Sequence, residues 1–430
     1  MTTYFAKRTA LADQDPQRWI RLGAQLGIVH ADENSIRVGL GELAWGEREG
    51  EDLERRTARA SSFLAQVTML DSSEPKNGEL RAHLALGFLA ATPARLVIPS
   101  AQITLGPSGA EIVTLASTED ELHEVLLATL NAYEATDMTD DAPLNDVVSI
   151  HDSAENGTYD AMIRDALGLI ATTDLEKVVL ARRLSVTCAT TIDPGLILER
   201  MSRREPSCTL YAFPLSAKVR MLGASPELLI ERNDNHISSH PLAGTLSLKE
   251  PESETSELIK SSKDLAEHQF VVADIEERLA PFVADLQVPA TPSIVKLRSV
   301  AHLGTRITGM CADRETGPAH VVELLSAIHP TPAIGGVPRE GALSVIHADE
   351  PFSREFFGGA FGWFDQDGNG EFVLGIRGAT IEGSSFSITA GAGVVEGSTP
   401  EGEDRETTTK LSSILDAVLP GMSSMLEQIP

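Results

Sequence analysis

The sequence predicts a mixed α/β (α+β) chain, and three observations point there. Residues 175–186 form an apolar run with strand alternation. One face would carry Val178, Leu180, Leu184 and Val186, the other Leu175, Lys177, Val179 and Ala181, as in a strand covered on both sides. Shorter strand patterns follow at 207–213, 219–224 and 227–232. Residues 256–283 repeat instead at helical period, with an apolar stripe of Leu265, Val272, Ile275, Leu279 and Phe282. The 430 residues are 42% hydrophobic and 23% charged, a globular balance with room for one large domain or two to three ordinary ones.

In chain order, 34–43 and 94–103 read as strands and 119–135 as a helix. The stretch 135–157, rich in Asp, Asn, Thr and Pro, reads as a connector, and a helix is expected over 159–170. After the strands and the long helix above, another helix is expected at 319–328. Strand patterns at 358–364 and 371–376 are joined by Asp365-Gln-Asp-Gly-Asn-Gly370. That run opens like a calcium loop, but Ile376 stands where a bidentate Glu is needed, so a hairpin turn is the expectation. A last strand, 385–389, runs into Ala390-Gly-Ala-Gly393, and a C-terminal helix begins near 403. The glycines from Gly391 to Gly397 miss the dinucleotide spacing by one place; their expected use is a backbone that lies close to a ligand. Residues 1–150 carry little catalytic signal and 151–430 carry the candidate site, with one shared core expected.

The net charge of −28 argues against nucleic acid and anionic membranes as partners, since both select basic surfaces. It also means that an anionic substrate would need locally placed cations or a metal. Three scattered cysteines, Cys188, Cys208 and Cys311, fit a reducing cytoplasm and form no zinc spacing. The N-terminus lacks a signal-peptide core, and no apolar run is long enough to span a bilayer. Lys177 is the anomaly: desolvation on a covered strand disfavours an ammonium and suits a base, although a lysine that packs its stem and extends its amine is the plainer alternative.

Several segments together resemble the chorismate-utilising enzymes, and within them the isochorismate synthases. They are Lys177-Val-Val-Leu-Ala-Arg182, Ala224-Ser-Pro-Glu-Leu228, Pro241-Leu-Ala-Gly-Thr245, Lys263-Asp-Leu-Ala-Glu-His268, His329-Pro-Thr-Pro-Ala-Ile-Gly-Gly336, Phe357-Gly-Gly-Ala-Phe-Gly-Trp363, Gly375-Ile-Arg-Gly-Ala379, Ala390-Gly-Ala-Gly-Val394, and Glu403-Asp-Arg-Glu-Thr407 with Lys410. They lie in the family's order over about residues 160 to 415.

The resemblance implies a fold of two large, mostly antiparallel β-sheets packed as a sandwich with helices outside, and a site at the sheets' ends. It implies addition of water at C2 of chorismate and loss of the C4 hydroxyl, with Lys177 matching the base and Glu227 the acid. Glu267 and Glu406, with Glu403 one helical turn away, match magnesium ligands. Arg377 and Lys410 match contacts to a substrate carboxylate; Gly244, Thr245, Ala333 and Gly391 match other ligand contacts. His302 resembles a pocket histidine of the family, with a core histidine as the alternative. A cytoplasmic monomer serving menaquinone or siderophore synthesis is implied. The amine-adding relatives lack lysine at the position of Lys177. Salicylate synthases, which go on to eliminate pyruvate, carry a hydroxyl residue where Ala333 stands. A non-catalytic acidic metal-binding module is the reading from another class, and it predicts a broken constellation.

Overall fold

The computed structural model describes residues 3–12, 14–43, 51–71, 78–139, 146–154, 157–248, 255–315 and 317–422. Among these, the strands form sheets of thirteen, eight and three, antiparallel throughout except where Phe5–Leu11 meets Thr68–Met69. The thirteen-stranded sheet begins with Gly336–Val337, Lys177–Cys188, Ser385–Val395, Gly378–Glu382, Val219–Ser225 and Thr209–Pro214. It continues into the first third of the chain through Ile28–Ala31, Ile36–Leu40, Ala101–Gly106, Gly109–Ala116, Phe5–Leu11 and Thr68–Met69. The eight-stranded sheet runs Val283–Gln287, Ile307–Cys311, His236–His240, Leu228–Asn233, Gly370–Leu374, Ala360–Phe364, Ala82–Leu86 and Arg95–Val97. The two share a core: Val178 and Leu180 of the first enter the same apolar cluster as Leu84, Ile230 and Phe372 of the second. This is the sandwich that the resemblance implies. No helix among the described residues is long and apolar enough to cross a membrane.

The covered strand is Lys177–Cys188, and residues 177–182 are all buried. Its first half enters one apolar cluster and its second half, with Leu184, Val186 and Cys188, another. The helix Glu119–Ala135 has the predicted bounds because the Thr118 hydroxyl accepts from Glu121 N at its start. The stretch 256–283 holds two helices, Ser256–Lys260 and Ser262–Leu279, because the Ser261 side chain accepts from Asp264 N and starts a second cap; it ends in a turn that leaves Phe282 outside the helix and leads into the strand Val283–Gln287. The stretch 94–103 divides between the sheets: Arg95–Val97 joins the smaller and Ala101–Gly106 the larger, with Pro99 between them. The supposed connector contains a strand, Val147–Asp152, paired to the far half of Lys177–Cys188; its residues 140–145 and 155–156 lie outside the described ones. The last strand does not stop at 389. It continues through the glycines as Ser385–Val395 and pairs with Lys177–Cys188 from Lys177↔Val395 to Thr187↔Ser385. The C-terminal helix starts earlier, as Pro400–Val418, with Thr399 capping Gly402 N and Pro400 in the first turn.

Candidate active site

The site is built where the chain crosses from one sheet to another. Strand Val219–Ser225 of the larger sheet passes through Pro226 and Glu227 into Leu228–Asn233 of the smaller one. Strand Gly370–Leu374 of the smaller sheet passes through residues 375–377 into Gly378–Glu382 of the larger one. The two crossings are bonded to each other: Ala224 N donates to Arg377 O at 3.2 Å, and Leu374 N donates to Glu227 O at 3.0 Å. Arg377 has φ 53°, a left-handed backbone that a residue with a Cβ adopts only when its surroundings impose it. The surroundings include the Tyr211 hydroxyl, which donates to Ile376 O at 2.9 Å. A third crossing, through Pro241, leads into Leu242–Ser247 of the three-stranded sheet and supplies Gly244 and Thr245. Gly244 has φ 71°, and a Cβ there would lie 2.9 Å from that of Asp264, so glycine is required on both counts.

Between the crossings lies a cavity of about 650 Å³, counting the part open to solvent. Glu227, Gly244, Thr245, Ala333, Arg377, Gly391 and Lys410 line it, as do Glu267 and Glu406. Glu227 is 3% exposed, and its Oε1 has no hydrogen-bond partner. Burial pushes its carboxyl up to about 8, against the opposing pulls of a backbone hydrogen bond from Leu242 and the charges of Lys177 and Lys410. At neutral pH it is therefore a proton donor aimed into the cavity.

Lys177 and Glu403 stand one layer behind the wall. Lys177 is completely buried, with Nζ 3.0 Å from Glu267 Oε1. Gly393 makes room for that pair: a Cβ there would fall 2.2 Å from Glu267 Oε1 and 3.0 Å from Lys177 Cε. Gly393→Ala is therefore expected to push Glu267 aside and lower kcat/KM on the order of 10²-fold, the usual cost of a displacement near 1 Å. Steady-state turnover against an unchanged melting curve checks it.

Glu403 is paired with Lys263 at 2.6 Å, and Glu406 with Lys410 at 2.6 Å; Lys410 Nζ also donates to Gly391 O at 2.8 Å. Burial and the neighbouring Glu406 raise Glu403 above the ordinary carboxylate range, and Lys263 only partly offsets them. Among the described residues no set of three His, Cys, Asp or Glu side chains closes into an all-protein metal cage. Magnesium does not ask for one: it takes one or two carboxylates and completes its shell with water and substrate oxygens. Glu267 and Glu406, which both line the cavity, with the buried Glu403 behind, fit such an ion.

His302 also lines the cavity and is not a core histidine. Its Nδ1 lies 3.1 Å from Gly244 O, which can only accept, so the proton sits on Nδ1. Nε2 then accepts from Arg377 Nη2 at 3.0 Å. Burial first, then the charges of Arg377 and Lys410, hold the ring well below the usual histidine range, so it stays neutral. Sequence reasoning did not single out Lys263 as the partner of Glu403, nor Leu242, Leu374 and Ile414 as wall residues. They come from separate segments, and no local spacing relates them.

Residues 30–419 match the family described as chorismate binding enzyme. The chain is 33% identical to a putative isochorismate synthase of Aeromonas hydrophila, over 79% of this chain and 86% of that one. It is 38% identical to the isochorismate synthase EntC of Escherichia coli K12, over 61% of this chain and 67% of that one. The structure of a putative 2,3-dihydroxybenzoate-specific isochorismate synthase, DhbC, from Bacillus anthracis superposes with a TM-score of 0.75 at 25% identity, covering 95% of this chain and all of that one. With nine-tenths of its length matched and the fold shared over 95% of it, the chain belongs to the chorismate-binding enzyme family.

Proposed function

We propose that the chain is an isochorismate synthase, an isomerase that adds water at C2 of chorismate and releases the C4 hydroxyl. One observation carries the reading: a carboxyl that keeps its proton at neutral pH, Glu227, faces a cavity that also holds Arg377 and Lys410 and is backed by the amine of Lys177. Glu227 gives its proton to the departing hydroxyl, which leaves as water. Lys177 Nζ takes the proton of the incoming water, so one proton enters and one leaves. Arg377, held by its strained backbone and by the neutral His302, offers donors to a carboxylate of the substrate. Lys410 adds a second positive charge. Together they answer the acidic surplus of the protein at the one place where a dianion must sit.

Glu267 and Glu406, with Glu403 behind them, would hold a magnesium ion. When bound, the ion supplies positive charge to a substrate carboxylate. The wall formed by Ala333, Ile334 and Phe357 is apolar, and the position of Ala333 lacks the hydroxyl of the salicylate synthases, which favours a reaction that stops at isochorismate.

Incubation with chorismate and magnesium, followed by separation of the products, tests the reading. Isochorismate as the main product, lost on adding EDTA, is expected. Salicylate with pyruvate would point to the lyase relatives, and no turnover to the non-catalytic module. Glu406→Ala is expected to raise the magnesium concentration needed for half-maximal rate by roughly tenfold or more, the effect of losing a ligand or its support. A metal response like the parent's would count against ligation.

A further inference from the structure

The strand that carries Lys177 is paired along one edge, from residue 177 to 187, by Ser385–Val395. Its other edge is covered in two pieces. Gly336–Val337 pairs with Lys177 and Val178, and Val147–Asp152 pairs with residues 184–188. Between them no strand among the described residues lies against residues 179–183, of which Val179 lines the cavity. An unpaired backbone group buried in such a gap would cost about 1–3 kcal/mol.

The ends of the gap are closed by Val179 N donating to Gly335 O at 2.7 Å and by Ser153, whose N donates to Arg183 O at 2.9 Å and whose hydroxyl accepts from Arg183 N at 2.8 Å; two side chains serve the middle. Arg354 Nη2 donates to Val179 O at 2.7 Å, and Ala181 N donates to Glu350 Oε1 at 2.9 Å. Each thus presents to the strand the group that a neighbouring strand would have presented. The two are bonded to each other, through Arg354 Nε to Glu350 Oε2 at 2.8 Å and through Nη2 to Oε1. Both side chains are 2% exposed or less. A third branch, Arg354 Nη1, donates to Ile334 O at 2.7 Å, and the guanidinium stands 5.9 Å from the ring centre of Phe357. Val179, Ile334 and Phe357 all line the cavity. A buried ion pair is weak evidence for stability, because desolvation offsets its attraction. Its use here is geometric: a planar fork with fixed directions ties three separate segments together.

We propose that Glu350 and Arg354 are positioning residues for the reaction at this site. The pair acts as a substitute for the missing length of strand and fixes the wall formed by Val179, Ile334 and Phe357 relative to Lys177. Neither residue touches the substrate. The inference rests on the isochorismate synthase reading above, and its test has one arm that does not.

Arg354→Lys keeps the charge but has no planar fork to reach two carbonyls. It is expected to lower kcat roughly 10- to 100-fold, with KM for chorismate changed less than about threefold, as when groups are displaced without loss of binding contacts. Glu350→Gln, which keeps an acceptor for Ala181 N, is expected to retain more kcat than Glu350→Ala. Leu198→Ala, in the other apolar cluster, is the control: it lowers the melting temperature without changing kcat at a temperature where it is folded. Hydrogen–deuterium exchange over residues 178–183, read without substrate, is expected to speed up in Glu350→Ala and not in Leu198→Ala. A folded Arg354→Lys with parental kcat, or a kcat loss in Leu198→Ala as large as in Arg354→Lys, would overturn the positioning role. Parental exchange in Glu350→Ala would overturn the bracing itself. Because exchange needs no turnover, a parent protein that made no isochorismate would sink the functional reading while exchange still decided the bracing.

Discussion

Lys177→Ala is expected to lower the rate of water addition by 10²- to 10⁴-fold, the range for loss of a positioned general base. Binding of chorismate is expected to change little, because Arg377 and Lys410, the charged groups proposed to hold it, are untouched. The strand around position 177 keeps its pairing to Val337 and Val395, so the fold remains. Stability is expected to fall by about 2–5 kcal/mol, since truncating a completely buried side chain leaves a cavity. Glu267, which loses this neighbour, has a side chain 12% exposed and can turn to water instead. Lys177→Met, which refills the space of the stem, separates the two effects: stability recovers part of its loss and the rate does not. A small primary amine added to Lys177→Ala is expected to restore some turnover. Parental kcat in folded Lys177→Met would remove the base assignment.

Glu227→Gln is expected to slow the reaction by a similar 10²- to 10⁴-fold, because an amide cannot give a proton to the departing hydroxyl. The pH dependence carries a sign that can be checked. The acid works only while protonated, so the parent's rate falls as pH rises through about 8. Glu227→Gln loses that limb. The same shift is linked to stability. Burial raises the folded carboxyl from 4.5 to about 8, so the folded state holds the proton more tightly than the unfolded chain does. The stabilisation is full below 4.5 and is lost as pH rises through about 8. Above that the buried carboxylate opposes folding by on the order of a few kcal/mol. Glu227→Gln is therefore expected to melt higher than the parent at alkaline pH and to lose the advantage in acid. A basic limb that persists in the variant would remove Glu227 as its source.

The chemistry was more legible in the sequence than the architecture. Lys177, Glu227 and Arg377 stood in recognisable segments, and a covered strand could be read from the apolar residues on both faces of 175–186. What alternation could not say is which sheet a strand joins. The patterns at 219–224 and 227–232 look alike, yet Pro226 and Glu227, where the second begins, mark a passage from one sheet to the other. That passage, more than the strands, brings Glu227 to the cavity that Arg377 also lines. The break at Ser261 is visible in principle, since Ser261 and Asp264 have the spacing of a helix start; the apolar stripe begins only at Leu265 and does not say where the helix starts. Arg354 was the least legible. It lies in no regular element, and its partners Val179 and Ile334 are distant in the chain, so only the assembled fold shows what it holds.

The most direct measurement is the fate of solvent oxygen. Chorismate turned over in ¹⁸O-labelled water, with magnesium present, should give isochorismate that carries one labelled atom, at the new C2 hydroxyl. Product without label, with the original C4 oxygen retained, would mean that no water is added, and the assignments of Lys177 and Glu227 would fall together.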